Sequence, residues 1–218
     1  MPLMKRPMAM IVLLSVLTIA AVIVCPMIGI RWISPLCIMH DSDLRFIFLN
    51  IRIPRTLVSL FVGGGLAVAG MIYQAIFRNP LADPGLIGGS AGAAAGAVAA
   101  LALGVAWLGI WTVPAFAFVS ALVVLGVVYA LARRGGRTEV VTLILAGVAI
   151  SSVASGAVGW VTAVAMDSGV GSTTFWQLGG LGAARWEQVG VVAATVAVGA
   201  LVLILLAPAL NLLALGER

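Results

Sequence analysis

The stretch Tyr73–Gly96, YQAIFRNPLADPGLIGGSAGAAAG, decides how this chain is read. It is a polar hinge bearing two prolines, set between long segments without charge. From Thr56 to Phe77 there is no Asp, Glu, Lys, Arg or His, and from Pro84 to Ala132 there is again none. Pro80 and Pro84 lack the backbone donor that a helix interior needs, and each disfavours the α region for its predecessor. One helix therefore ends near Arg78 and another begins near Asp83, with Asp83 as N-cap and Pro84 as first helical residue. Gly88, Gly92 and Gly96 follow at intervals of four, which predicts one helix face without side chains, open to the backbone of a neighbour.

Working outward, the whole chain has the same character. Its 218 residues are 63% hydrophobic and 9% charged, against about 25% charged in a soluble domain. This is the composition of an integral membrane protein. The net charge of +5 comes from basic residues in short segments flanking apolar runs, where they act as topology signals. No basic patch is interleaved with stacking aromatics, which excludes a nucleic-acid surface. Cys25 and Cys37 have no metal or redox spacing and read as two unpaired apolar residues, a disulfide being the alternative if both reach an oxidising side.

A hydrocarbon core about 30 Å thick takes about 20 apolar residues per helix. Six stretches qualify: Met8–Ile30, Pro54–Phe77, Pro84–Trp107, Trp111–Leu131, Val140–Trp160 and Glu187–Leu206. The fold class is thus all-α, a polytopic transmembrane helical bundle with both ends on one side. Lys5 and Arg6 precede the first span without a cleavage site, so it reads as a retained anchor with a cytoplasmic start. On that topology the inner segments hold seven cations and the outer ones five, in the direction of the positive-inside rule. Trp32, Trp107, Trp111, Trp160 and Trp186 then all fall at outer span ends, and Tyr73 and Tyr129 near inner ends.

Polar residues are few and placed. Asp41–Asn50 in the outer loop reads as a short interfacial helix ending at Arg52-Ile53-Pro54-Arg55. Two arginines at a span entrance are either snorkelling anchors or a cationic docking site for an acidic partner. The fifth span carries Gly147, Ser151, Ser155 and Gly159 at intervals of four, either for close helix packing or as a polar wall along a substrate path. Ala165–Ala184, too short to cross with its Gly-rich edges, reads as a partial helix folded back on the outer face.

Chemistry that would make the chain an enzyme is missing. No span interior holds an ionisable residue, which argues against an ion-coupled secondary carrier. Gly88-Gly89-Ser90-Ala91-Gly92 matches G-x-S-x-G, but no span carries the His base that a serine nucleophile needs. His40 has no Cys or second His near it, so neither a catalytic residue nor a metal ligand is assigned. There is no phosphate-binding G-x-x-x-x-G-K-[ST] loop. Any ATP hydrolysis belongs to another chain, and no cofactor is expected here.

Taken together, RIPRTLVSLFVGGGLAVAGMIYQAIFRNPLADPGLIGGSAGAAAGA, LILAGVAISS, FWQLGGLGAARW and LNLLALGER resemble the membrane permease subunit of the FecCD type. These are ABC importers that bring ferric siderophores, haem or cobalamin into bacteria. The resemblance runs from Arg52 to Arg218 and implies a ten-helix subunit in the bacterial inner membrane. It also implies a second permease copy, two cytoplasmic ATPase subunits and a periplasmic or lipid-anchored substrate-binding protein. It assigns docking of that protein to Arg52 and Arg55, and the translocation path to Gly147, Ser151, Ser155 and Gly159. Helix packing falls to Gly88, Gly92 and Gly96, and the start of the ATPase coupling helix to Leu213, Ala214, Leu215, Gly216 and Glu217. The whole of 1–218 is expected to be one transmembrane permease domain that stops where the coupling helix begins, as a fragment or a truncated product. An iron chelate is the expected cargo. The rivals are a cobalamin importer, an ion-coupled carrier and a non-transporting membrane scaffold.

Overall fold

The computed structural model describes residues 7–105, 107–134, 137–165, 177–182 and 184–215. Helix α1 spans Pro7–Val24 and is followed by a 3-10 turn, Cys25–Met27. Pro26 has no N–H to continue the α-helical ladder, so the first span ends there rather than at Ile30. Short helices α2 (Pro35–His40) and α3 (Ser42–Ile47) come next. Asp41 caps α3 by accepting from the N–H groups of Asp43, at 2.9 Å, and Leu44, at 3.2 Å. A π turn, Phe48–Arg52, joins α3 to α4, Ile53–Phe77. Ser42–Phe77 is thereby one apolar helical run of 36 residues, about 54 Å long.

α4 ends where the hinge prolines demand, with Arg78 in the left-handed region at φ 49°. Within the hinge, Asn79 Oδ1 accepts from Leu81 N at 2.9 Å and Asp83 Oδ1 from Gly85 N at 2.7 Å. Asp83 is indeed an N-cap followed by proline, but it caps a 3-10 turn, Pro84–Ile87, and not the long helix. Helix α5 starts only at Gly89 and stops at Ala102. The expected span Pro84–Trp107 is therefore a 14-residue helix, about 21 Å and short of a 30 Å core.

Helix α6 is Thr112–Ala132. A two-residue antiparallel ladder pairs β1 (Arg133–Arg134) with β2 (Arg137–Thr138), and α7 runs Val140–Ala165. Helix α8, Trp186–Leu215, carries Pro208 inside it. It runs on beyond the expected end at Leu206, and Leu213–Leu215 continue the span's own helix instead of opening a separate one. Among the described residues five helical runs are long and apolar enough to cross a membrane, with Gly89–Ala102 as a sixth, shorter apolar helix. Gly216, Glu217, most of the expected fold-back segment, Gly135 and Gly136 lie outside the described residues.

The chain divides into two compact units, residues 1–68 with 181–206 and residues 69–180 with 207–218. The first is loosely covered: Ile33, Pro54, Val58 and Val189 are buried, while α1 exposes its Leu, Ile and Val side chains along its length except at Val22. The second has a small-residue core of Ala97, Val98, Ala100, Ala117, Val128 and Ala132. Alanines and glycines let helix axes approach closely, and in lipid such packing contacts hold helices together because lipid tails are as apolar as leucine.

Candidate functional site

The hinge and the glycine series meet in the second unit. Gly88 is not part of α5; it sits at φ 85° between the 3-10 turn and the helix, a conformation that costs an L-residue with a Cβ. The expected face of three helical glycines is therefore a left-handed cap plus Gly92 and Gly96. Those two lie against α6: a Cβ on Gly92 would stand 2.7 Å from Val124 Cγ2 and 3.1 Å from the Ser120 carbonyl oxygen. A Cβ on Gly96 would run into the Phe116 carbonyl oxygen and the Ser120 side chain. Ser120, which the sequence reading passed over, is the residue on which both glycines rest, and one serine within an apolar span carries no signal of that.

Helix α7 meets the same hinge from another direction. Gly147 is buried, and a Cβ there would lie 2.5 Å from the Leu86 carbonyl oxygen and 2.7 Å from Ile87 Cα. Ser151 donates its hydroxyl to the Gly147 carbonyl at 2.7 Å, with its Oγ 3.1 Å from where a Cβ on Gly88 would be. The column assigned to a substrate path is thus divided. Gly147 and Ser151 press on the turn Leu86–Gly88, whereas Ser155 and Gly159, one and two turns on, are exposed. A Cβ on Gly159, or on neighbouring Gly156, would meet nothing within 4 Å.

The arginine pair belongs to the first unit. Arg52, in the π turn, donates through Nη1 to the carbonyls of Pro26 and Met27, both at 3.1 Å, and through Nη2 to that of Arg31 at 2.9 Å. Arg55, one turn later and exposed, donates through Nε to Leu181 O at 3.2 Å and through Nη2 to Gly182 O at 3.3 Å. The Trp186 indole N–H reaches Leu49 O at 3.1 Å. Arg31, Arg52 and Arg55 line one cavity of about 450 Å³ with Ile28, Ile33 and Ile51. Among the described residues no three His, Cys, Asp or Glu side chains group as metal ligands, and Cys25 is a free, exposed thiol.

A sequence model of the FecCD transport family matches residues 13–218. The chain belongs to that family. It is 36% identical over 204 residues to the vitamin B12 import system permease protein BtuC of Citrobacter koseri and to that of Escherichia coli O139:H28, covering 94% of this chain and 61% of each relative. The BtuC protein of Salmonella paratyphi A is 35% identical over 213 residues, 98% of this chain and 64% of that protein. The chain therefore spans a little under two thirds of the length of these relatives. A solved structure described as an inward-facing conformation of a metal-chelate type ABC transporter superposes with a TM-score of 0.81 at 27% identity, over 94% of this chain and 64% of that one. FecCD membership and the long apolar helices make this a multi-pass membrane protein with the helical architecture of an ABC permease.

Proposed function

We propose that the chain is the greater part of a permease subunit of a bacterial ABC importer. It would form one side of the path by which a metal chelate, delivered by a substrate-binding protein, crosses the inner membrane. The observation that carries the reading is the match to the FecCD family along 13–218, on a chain whose stretches Thr56–Phe77, Pro84–Ala132 and Val140–Ala165 hold no Asp, Glu, Lys, Arg or His to couple an ion gradient. ATP hydrolysis falls to separate subunits, a second permease copy completes the path, and the exposed Ser155 and Gly159 are the residues available to line it. The end of α8, Leu213–Leu215, with Gly216 and Glu217, would lead into the contact with the ATPase.

For the cargo, the likeness to vitamin B12 permeases at 35–36% identity favours cobalamin, itself a metal chelate, over the ferric siderophore or haem that the resemblance alone made the expectation. Uptake by the full-length permease, reconstituted with its ATPase and binding protein in proteoliposomes, tests both parts. ATP-driven accumulation of labelled cobalamin is expected. Accumulation of a ferric siderophore instead would change the cargo, and uptake that follows an ion gradient without ATP would remove the importer reading.

A further inference from the structure

The two arginines at the head of α4 are used differently. Arg52 is half-buried, and its guanidinium is wrapped by the segment that leaves α1. Three carbonyls, from Pro26, Met27 and Arg31, converge on two of its nitrogens. The wrap is tight. A Cβ on Gly29 would stand 2.7 Å from Nη2 and 2.9 Å from Cζ, so a side chain there would displace the guanidinium from its carbonyls. The same segment is held by Ile28 N to Cys25 O at 3.1 Å and Ile33 N to Met27 O at 3.0 Å, with Ile33 fully buried. The last carbonyls of a helix lack an intrahelical partner, and near a bilayer an unsatisfied one is costly; here, among the described residues, only that of Met27 has a backbone donor as well, Ile33 N. A planar fork with several donors can serve three at once, which a lysine ammonium cannot match in geometry.

Arg55 is exposed, holds two carbonyls at longer distances, and has an Nη1 that makes no hydrogen bond among the described residues. We propose that Arg52 is a positioning residue, which moulds the turn of residues 25–33 beside Arg55, and that Arg55 alone offers its charge to an acidic partner. The second half rests on the importer reading proposed above, with the docking role that the family resemblance implies for these arginines; the first half does not.

Two measurements separate the halves. Hydrogen exchange of the purified chain in detergent should show the amides of residues 28–33 exchanging roughly tenfold faster in Arg52→Lys and in Gly29→Ala, and unchanged in Arg55→Lys. Unchanged exchange in both of the first two variants would overturn the positioning role. Affinity of the full-length permease, assembled with its ATPase, for its own binding protein should then fall about tenfold in Arg52→Lys and Gly29→Ala, which keep every charge, while Arg55→Lys restores most of what Arg55→Gln loses. If Lys serves at 52 as well as Arg, and Gly29→Ala binds like the parent, Arg52 docks directly and the division of roles is overturned. If exchange responds as described but Arg55→Gln binds normally, Arg52 still positions the turn and it is the docking function that fails.

Discussion

At the scale of single residues, the glycines divide into those that the packing needs and those that it does not. Gly88 is held at φ 85° and pressed by Ser151 and Gly147. Gly88→Ala is expected to cost about 1–2 kcal/mol from the left-handed backbone alone, read as a lower thermal midpoint in detergent. Gly92→Leu drives four carbons into Val124 and the Ser120 carbonyl, and should lower that midpoint further or prevent assembly. Gly156→Leu is the contrast: nothing lies within 4 Å of its Cβ position, so the chain should keep its midpoint. A loss of stability there as large as in Gly92→Leu would mean that α7 is covered on a face that is open in this structure. In the sequence these glycines look alike, since spacing reports which helix face a residue occupies and not what stands opposite.

At the scale of elements, the hinge was legible in outline and misread in detail. Asp83-Pro84 correctly marks a start, because the carboxylate caps the Gly85 N–H and the proline lacks only a donor that would be orphaned anyway. What starts is a 3-10 turn. Gly88 then resets the chain direction before α5, which shortens the expected span to 14 residues. Asp83→Ala should destabilise the turn by about 1 kcal/mol, measurable by denaturant titration, while Asp83→Asn should be nearly neutral because its amide oxygen can still cap. The π turn at Phe48–Arg52 gave no warning in a run of apolar residues. It joins an interfacial helix to a span that the sequence reading kept apart.

At the scale of the whole molecule, the exposed apolar face of α1 and the open Ser155–Gly159 face of α7 call for lipid or further helices around them. In the importer reading, charge reversal at both arginines, Arg52→Glu with Arg55→Glu, should weaken capture by the substrate-binding protein at least tenfold, as read by surface binding of the detergent-solubilised full-length complex. Unchanged affinity would leave both arginines as internal ties only.

The amino-acid sequence by itself determined the all-α membrane class, where most of the long helices start, the hinge at Arg78–Asp83 and, through its motifs, the FecCD family. Those follow from local rules: hydropathy over about 20 residues, missing donors at proline, and short motifs that survive as strings. Only the tertiary structure decided which glycines carry a contact, that Gly147 and Ser151 rest on the turn Leu86–Gly88 while Ser155 and Gly159 stand open, and that Arg52 turns inward on three carbonyls. Each of those depends on atoms far apart in the chain, and in a sequence made almost wholly of small and aliphatic residues one helix face looks much like another until its neighbour is in place.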